Sequence, residues 1–543
     1  MVSHHNRSTK TCPKCGYERN PISAKKCEIC GATLGGLKVP PIVWLALATS
    51  LVGWGAFRWG GQLNTAQIPF WPQASGSRNW LLLGDTFSGY STFRHPEFQS
   101  ALQEAGIQLR YADEFDQAQR ANALTQGQAD LMVTSLDQFV QQQPQGQIVA
   151  LIDRTVGADA VVLNTLKYPG LTSLVVLEGL VRRNQGQSLM ATFAGDTPSE
   201  YLALVLDTKF DAFRLADFNV VKVADASEAW NLLQDRTQPV AVAVLWEPFV
   251  SQARQQGYTV VLSSQDAPDT IVDVLVAADR LIERDPEALS DFVETYYRRM
   301  DANVRDASQL QRQIAEDGNL SPDQAATVLQ GIDFFTANEA QTWFQEGILE
   351  RRIQATAAVL VLSGRRRELP ANPKALINEQ FMSRAALNTQ TLIDLIRADN
   401  PELADRLAGK TRAITPTLTA QQIQAAPTIG NLQVRGEVGF ATGSAQLTST
   451  SLQTLNQLAE EIREFSPQTV AVRIIGHTSR TGPAPFNQTL SQQRADVVVR
   501  YLRDRDLPHN LIGEGRGFSE PLPTLQPTDV RNQRTEIRLV RVE

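Results

Sequence analysis

The stretch Leu131-Met-Val-Thr-Ser-Leu-Asp137 decides the fold of the largest part of this 543-residue chain. Its apolar residues give way to polar ones at Thr134, which is typical of a buried strand that ends at the edge of a sheet. In open α/β sheets, ligands collect beyond the carboxyl ends of the strands. Thr134, Ser135 and Asp137 are therefore candidate ligand-binding residues.

Comparable apolar runs recur between residues 78 and 380. Amphipathic stretches such as Ser199–Leu206 and Ala226–Leu233 separate several of them. Strands that alternate with helices predict parallel sheets in an α/β fold, and a region of this length usually divides into two lobes. The predicted strands are Trp80–Leu83, Ala129–Val133, Ile148–Ile152, Ala160–Leu163, Val220–Val223, Val240–Leu245 and Thr259–Leu262.

A helix start is predicted at Thr197-Pro-Ser-Glu200. The spacing is that of a capping box with proline at the first helical position, so free N–H groups would form an anion site there. The hydroxyls of Thr197 and Ser199 would add donors. The alternative is that this motif only caps a helix.

Two more side chains are candidates for solute contact. Tyr90 follows the first strand in Ser88-Gly-Tyr-Ser91 and would cover a ligand. Glu247, in Trp246-Glu-Pro248, would accept from an amine or a hydroxyl. Alternatively, Trp246 belongs to the core and Glu247 is a hydrogen-bond partner beside a hinge.

Residues 78–380 resemble the substrate-binding proteins of nitrate/sulfonate/taurine-type ABC transporters. The resemblance implies a two-lobed periplasmic-binding fold that closes on a small solute by hinge motion, and we expect the solute to be anionic. The segments that carry it, in order, are Leu131–Asp137, Ile152-Asp-Arg-Thr-Val-Gly-Ala-Asp159, Gly195-Asp-Thr-Pro-Ser-Glu-Tyr201 and Ala241-Val-Ala-Val-Leu-Trp-Glu-Pro248.

The cysteines of the chain all lie near its start, in two C-x-x-C pairs. Two such pairs complete the tetrahedral sulfur shell of a closed structural zinc site, which leaves no open position for catalysis. Residues 1–38 are therefore predicted to be a zinc ribbon in a reducing compartment, with disulfides as the alternative. The predicted zinc ligands are Cys12, Cys15, Cys27 and Cys30.

An apolar stretch follows the predicted ribbon. Residues 39–60 carry no charge before Arg58, and about 20 apolar residues match the thickness of a bilayer. The basic residues before it predict a cytoplasmic N-terminus, so the stretch is expected to be a single inner-membrane helix rather than a cleaved signal peptide. Residues 61–77, rich in Gly, Pro and Ser, are expected to be a polar stalk.

The end of the chain predicts a compact α+β unit. Residues 381–430 read as a polar connector, and apolar periodicity in 431–543 predicts helices around 452–465 and 492–503 with strands around 470–474 and 535–540. This region resembles the OmpA-like peptidoglycan-binding domain. The segments that carry the resemblance are Gly439-Phe-Ala-Thr-Gly-Ser-Ala445, Gly476-His-Thr-Ser-Arg-Thr-Gly482, Asn487-Gln-Thr-Leu-Ser-Gln-Gln-Arg-Ala495, Gly515-Arg-Gly-Phe-Ser-Glu-Pro521 and Asn532-Gln-Arg534.

One position departs from that family. The resemblance implies that an aspartate after Gly-His-Thr pairs with the amine of diaminopimelate, while the arginine of the Leu-Ser-x-x-Arg segment takes a carboxylate. Here the aspartate is replaced by Ser479, whereas Asn487 and Arg494 match. Because a hydroxyl cannot replace a partly buried charge, peptidoglycan binding is predicted to be weakened or retuned. His477 stands alone and is expected to be structural.

Composition and motifs also argue against two classes of function, nucleic-acid binding and catalysis. The net charge of −7 is spread without blocks, which argues against nucleic acid as a partner of the outer domains. No nucleophile–base pair or phosphate loop is evident, so no enzyme is predicted. Two hypotheses remain: an inner-membrane-anchored periplasmic solute receptor that contacts the cell wall and a permease or signalling partner, or a structural tether whose lobes act as a spacer or docking surface.

Overall fold

The structure of this chain is a computed structural model that describes residues 9–10, 20–21, 78–184, 189–410, 415–436, 438–441 and 443–542. Strands β1 (Thr9–Lys10) and β2 (Asn20–Pro21) pair antiparallel within a unit that spans residues 1–74. Residues 75–543 form a second unit. The predicted cysteine site, membrane helix and stalk lie outside the described residues. Where the chain is described, no helix has both the length and the apolarity needed to cross a membrane.

The second unit begins with lobe 1, which contains a six-stranded sheet in the order β13-β6-β12-β5-β3-β4. The central strands are apolar on both faces because helices cover both sides. The strands are β3 (Arg78–Gly84), β4 (Ile107–Asp113), β5 (Leu131–Ser135), β6 (Gly146–Thr155), β12 (Val272–Ala278) and β13 (Ile332–Phe334).

Helices pack around this sheet. Phe93, Phe292 and Tyr296 form a stacked aromatic group at the centre of the lobe 1 core. The α-helices are α1 (Ser91–Arg94), α2 (Pro96–Glu104), α3 (Gln117–Thr125), α4 (Leu136–Gln142), α9 (Asp279–Arg284), α10 (Pro286–Arg305), α11 (Ser308–Gly318), α12 (Pro322–Gln330), α13 (Ala337–Gln345), α14 (Ile348–Leu362), α15 (Met382–Ile396) and α16 (Pro401–Leu407), with 3-10 turns at Ser88–Tyr90, Pro373–Leu376 and Glu379–Phe381.

Lobe 2 contains a five-stranded sheet in the order β11-β7-β10-β8-β9. Its strands are β7 (Asp159–Leu163), β8 (Met190–Ala194), β9 (Asn219–Val223), β10 (Val240–Trp246) and β11 (Thr259–Ser263). Its helices are α5 (Leu174–Arg183), α6 (Pro198–Lys209), α7 (Ala226–Gln234) and α8 (Phe249–Gln256), with a 3-10 turn at Leu215–Asp217.

The chain crosses between the lobes twice, through residues 156–158 and 264–271. The strands that flank these crossovers run antiparallel to their neighbours: β7 to β10, and β12 to both β5 and β6. The prediction of purely parallel sheets is therefore wrong, because a chain that leaves a sheet and returns to it across a hinge enters from the opposite end. The prediction of two α/β lobes is confirmed.

The C-terminal domain, residues 415–542, has a four-stranded sheet in the order β14-β17-β15-β16. Along the chain, one long helix precedes β15 and another lies between β15 and β16. The strands are β14 (Thr428–Asn431), β15 (Val470–Gly476), β16 (Leu511–Gly515) and β17 (Thr535–Arg541), and the helices are α17 (Ala420–Ala425), α18 (Ser449–Arg463) and α19 (Ala484–Arg503), with a 3-10 turn at Val530–Asn532.

The C-terminal domain and lobe 2 share one hydrophobic core. Phe210 of lobe 2 meets Phe465 edge to face, with ring centroids 6.1 Å apart. The backbone N–H of Asp211 donates to the carbonyl of Asn431, and Arg541 forms an ion pair with Asp266 in the second crossover. Because apolar contacts, backbone hydrogen bonds and charges all cross this boundary, the two parts form one body.

The predicted connector is largely folded into its neighbours. Helix α15 places Met382, Ala385 and Ala386 in the lobe 1 core. Strand β14 pairs with β17 and completes the C-terminal sheet. Pro401 in this region starts a helix, as the first residue of α16.

Candidate functional site

A row of polar residues crosses three adjacent strands of lobe 1 beside the crossovers. Asp273 of β12 lies opposite Ser135 of β5 on one side and opposite Asp153 of β6 on the other. Residues directly opposite each other in a sheet project from the same face. The strand order therefore brings three polar side chains together that are far apart in sequence.

Tyr90 completes this row. Its hydroxyl donates to Asp273 Oδ1, and only 2% of the residue is exposed. Burial and the charge of Asp273 raise the pKa of the Tyr90 phenol, so Tyr90 stays protonated and acts as a donor. Tyr90, which the sequence predicts to cover a ligand, is therefore part of the buried polar row of lobe 1.

Asp153 is fully buried, and neither of its carboxylate oxygens has a hydrogen-bond partner among the described residues. Burial and the neighbouring Asp273 raise the pKa of Asp153. Burial likewise raises the pKa of Asp273. A buried carboxyl without a counter-charge favours its neutral form.

Two buried carboxyls from different lobes lie within electrostatic range of each other. Asp137 lies in the first turn of α4 in lobe 1 and accepts from Gln138 Nε2 at 3.0 Å. Asp159 begins β7 in lobe 2. Burial raises the pKa of Asp137 to about 6. Burial raises the pKa of Asp159 to about 7, and the charges of Glu247 and Asp137 contribute to that shift.

Glu247 is held by its own lobe. Its carboxylate accepts from the Ser251 N–H at 3.1 Å and from the Ser251 hydroxyl at 2.9 Å, and its N–H donates to the carbonyl of Ala158 in the first crossover. These contacts match the alternative in which Glu247 is a hydrogen-bond partner beside the hinge.

Helix α6 begins at Pro198, as the sequence predicts. The predicted capping box, however, is not formed. The Thr197 hydroxyl donates backwards to the Ala194 carbonyl at 2.9 Å, and Glu200 accepts from the N–H of Asp196 instead of that of Thr197. The reason is that Glu200 also pairs with Lys222 at 2.8 Å, which draws its carboxylate away from the helix end.

The Ser199 hydroxyl remains available as a hydrogen-bond donor, as the sequence predicts. Its side chain is fully buried in the first turn of α6, and its hydroxyl has no partner among the described residues. Ser199 therefore supplies a free hydroxyl beside the N–H groups of a helix start, which have no partner within the helix.

The two lobes are in contact along α6. Tyr201, Leu204 and Val205 of this helix pack into the lobe 1 core. Glu200 also forms an ion pair with Arg365, which follows α14. The lobes are therefore in direct contact along this helix.

A second polar site lies in the C-terminal domain around Arg494. This side chain is 5% exposed, its Nε donates to the Ser444 carbonyl at 3.0 Å, and its guanidinium lies 4.9 Å from the centre of the Phe440 ring. Burial lowers the pKa of Arg494. No described carboxylate forms an ion pair with it, so Arg494 is a buried cation that lacks a counter-ion.

Gln533 bridges the two residues that the sequence singled out. Its Oε1 accepts from Arg494 Nη1 at 3.3 Å, and its Nε2 donates to Ser479 Oγ at 3.2 Å. Gln533 lies within the Asn532-Gln-Arg534 segment that carries the family resemblance, but the resemblance implies no role for it. Its position opposite Ser479 depends on the antiparallel pairing of β15 and β17, which no local pattern reveals.

The remaining predicted residue, Asn487, shapes the loop that carries Ser479. Its Nδ2 donates to the carbonyls of Thr481 and Pro483 at 2.9 and 3.1 Å. His477 lies 3.3 Å from Glu536 in the neighbouring strand, in keeping with a structural role.

Helix α19 reaches this site because two glycines let it lie directly on the sheet. A Cβ at Gly476 would stand 2.3 Å from the carbonyl oxygen of Ser491, and one at Gly515 would stand 2.5 Å from the nitrogen of Gln492. Any side chain there would push the helix outward. The glycines therefore set the depth of Arg494.

Two known protein families match separate parts of this chain. Residues 102–306 match the NMT1/THI5 like family, and residues 439–535 match the OmpA family. The prediction of a periplasmic-binding domain followed by an OmpA-like domain is confirmed.

Individual relatives cover only parts of the chain. Outer membrane protein A of Shimwellia blattae is 36% identical over 90 residues, which are 16% of this chain and 37% of that protein. Outer membrane protein A of Klebsiella aerogenes is 33% identical over 90 residues, 16% of this chain and 26% of that protein. The chain thus matches well under half the length of these relatives.

Solved structures resemble the region of the two lobes. The periplasmic aliphatic sulphonate binding protein SsuA from Escherichia coli has 14% identity and a TM-score of 0.44, and covers 56% of this chain and 92% of its own. The periplasmic nitrate-binding protein NrtA from Synechocystis PCC 6803 has 12% identity and a TM-score of 0.44, and covers 60% and 91%. At TM-scores below 0.5, these likenesses support no conclusion about the ligand of this chain.

Proposed function

We propose that this protein is a receptor of the bacterial cell envelope that binds a small anionic solute between its lobes and contacts peptidoglycan through its OmpA-like domain. The observation that carries the proposal is the position of two buried carboxyls from different lobes, Asp137 and Asp159, close enough for the charge of Asp137 to raise the pKa of Asp159. Polar groups from both lobes at the crossovers are what a solute-dependent closure requires. The role is binding without catalysis.

The chemistry of the junction suits an anion when the carboxyls are protonated. A neutral carboxyl group is a hydrogen-bond donor, and Asp137 and Asp159 have pKa values of about 6 and about 7 because of burial. The Ser199 hydroxyl and the N–H groups at the start of α6 supply further donors. An amine on the same solute would be placed near Glu247.

Wall contact is assigned to Arg494, whose guanidinium would take a carboxylate of the stem peptide. Ser479 stands where a carboxylate would be needed to hold an amine. Peptidoglycan binding is therefore proposed as retuned rather than absent.

The N-terminal segment supplies the proposed anchor. We propose a structural zinc ion on Cys12, Cys15, Cys27 and Cys30, and a single inner-membrane helix at residues 39–60 with the N-terminus in the cytoplasm. A permease or a signalling protein is the proposed partner. Protease added outside spheroplasts should then remove the domains and spare the first residues, and a mature N-terminus near residue 60 would contradict the anchor.

The experiment that tests solute binding is a search for small molecules retained by the purified full-length protein, by mass spectrometry under native and then denaturing conditions. An anion released only on denaturation supports the receptor. Because Asp137 and Asp159 are buried, a solute bound beside them should survive gel filtration.

A structural tether is the second candidate, and one observation favours it. Tyr90, Thr197 and Glu247, predicted as solute contacts, are each engaged with protein partners. If no solute is retained and none of the anions tested binds, the lobes are better explained as a rigid spacer between membrane and wall.

A further inference from the structure

We propose that the amide of Gln533 occupies the ligand position in the OmpA-like domain, and that the ligand which displaces it is a peptide carboxylate whose neighbouring amine is acylated. This inference rests on the proposed wall contact and names the chemical class that the site accepts.

The orientation of the Gln533 amide is fixed by its partners. Arg494 has only donors, so the atom that faces it must be the carbonyl oxygen, and Nε2 must point to Ser479. One amide group thus gives an acceptor to the buried cation and a neutral N–H to the hydroxyl. A ligand in its place has to offer the same pair of groups.

Arg494 selects the acceptor. The guanidinium is buried, it has no carboxylate partner among the described residues, and the Phe440 ring covers one side of it. A ligand carboxylate would neutralise this charge, which the neutral carbonyl of Gln533 does not. A carboxylate therefore has a physical reason to replace the internal amide.

Ser479 selects the donor. Ser479 is 1% exposed, and its hydroxyl also lies 3.1 Å from the hydroxyl of Thr481, so its hydrogen-bond partners are neutral. An ammonium placed there would stand next to the Arg494 guanidinium with no described carboxylate to offset the repulsion between like charges. An amide N–H fits without that cost. In a peptidoglycan stem peptide, an acylated side-chain amine is the group that forms when the peptide is cross-linked.

Gln533 itself is exposed, so it can leave the site without disturbing the core. Its displacement costs two hydrogen bonds at the surface, whereas the ligand gains a charge-assisted pair with Arg494. Gln533 is therefore a competitor that sets a threshold for binding rather than a contact of the bound ligand.

The test uses the full chain and two synthetic stem peptides that end in diaminopimelate, one with a free side-chain amine and one with that amine acetylated. Calorimetry should give a dissociation constant about tenfold lower for the acetylated peptide, a difference that repulsion between the free ammonium and the Arg494 guanidinium can produce. Equal affinity, or tighter binding of the free amine, overturns the inference and leaves the wall contact intact. If neither peptide binds, the wall contact fails as well.

Two variants examine the residues separately. Gln533→Ala should tighten binding of the acetylated peptide several-fold, and the matched control Gln457→Ala, an exposed glutamine on α18, should not change it. Weaker binding in Gln533→Ala would show that Gln533 contacts the ligand, which contradicts the competitor role.

Ser479→Asp should reverse the preference, so that the peptide with the free amine binds more tightly, and this gain in affinity should be salt-sensitive. If Ser479→Asp lowers the melting temperature, Ser479→Asn, which adds no charge, should keep the preference for the acetylated peptide.

Discussion

The carboxylate of Glu464 lies 2.9 Å from the ammonium of Lys209, and this ion pair joins the OmpA-like domain to lobe 2. The second oxygen of Glu464 lies 3.5 Å from Arg352 on α14, which packs in lobe 1. Burial alone would raise the pKa of Glu464, but Lys209 and Arg352 outweigh it and lower that pKa. One carboxylate of the OmpA-like domain therefore contacts both lobes.

Removing this charge should destabilise the folded body. In Glu464→Gln, Lys209 and Arg352 stay mostly buried without a counter-charge, so the free energy of unfolding should fall by about 3 kcal/mol, the lower end for a buried pair. Thermal unfolding measures the change. The control is Glu460→Gln on the same helix, whose partner Arg463 is a surface contact and should be worth well under 1 kcal/mol. Equal effects would show that the Glu464 pairs are solvent-screened.

The protonation of Asp159 should make stability depend on pH. Its pKa in the folded protein, about 7, lies above the value of 3.8 for a free carboxyl, because burial disfavours the charged form. The folded state then holds the proton more tightly, so the contribution to stability is fully present below about 3.8 and is lost as the pH rises to about 7.

Asp159→Asn should remove this part of the pH dependence. Relative to the variant, the wild type should lose on the order of 1–3 kcal/mol between pH 4 and 7. Asp217→Asn, an exposed aspartate of lobe 2, serves as the control. Parallel stability curves for wild type and Asp159→Asn would contradict the buried, protonated state.

Much of the architecture could be predicted from the chain itself. Strands such as β10 (Val240–Trp246) are continuous apolar runs, and α6 starts at the predicted proline. Strand β12 was missed, although its sequence Val-Asp-Val-Leu-Val-Ala-Ala is apolar, because its place in lobe 1 depends on the chain returning across the hinge. Local periodicity carries no information about that return.

The candidate sites were predictable only in part. Ser135 and Asp137 follow a visible strand, but Asp273 joins them through the pairing of β12 with β5. The same limit applies to Gln533, which meets Ser479 through strand pairing. The capping box failed for another reason: Glu200 had a stronger partner in Lys222, a charge contact from the next strand.

Arg494 should be essential for wall binding. Arg494→Ala should abolish co-sedimentation of the protein with purified peptidoglycan sacculi, because a carboxylate loses its charge-assisted partner. Arg500→Ala, an exposed arginine on the same helix, should leave co-sedimentation unchanged. If both variants sediment like the wild type, the contact with peptidoglycan lies elsewhere in the protein.

The predicted zinc ribbon can be tested by metal analysis. The full-length protein should contain one zinc ion per chain, and Cys27→Ser should lose it because three thiolates cannot close the tetrahedral site. Zinc binding supplies most of the folding energy of so small a unit, so the melting temperature of the domains from Ser75 onward should not change. A metal-free protein with a disulfide between these cysteines would refute both the site and its cytoplasmic location.

Calorimetry with candidate anions tests the proposed solute receptor most directly. Nitrate, sulfonates, taurine, bicarbonate and phosphonates are titrated at pH 6 into wild type, Ser199→Ala and the control Ser227→Ala, which alters the same position of the next helix, α7. At least one anion should bind the wild type and the control alike, and Ser199→Ala should weaken it by ~1.5–3 kcal/mol, the value of a hydrogen bond to a charged group. No heat from any anion, or equal binding by all three proteins, would contradict a solute site at the junction of the lobes.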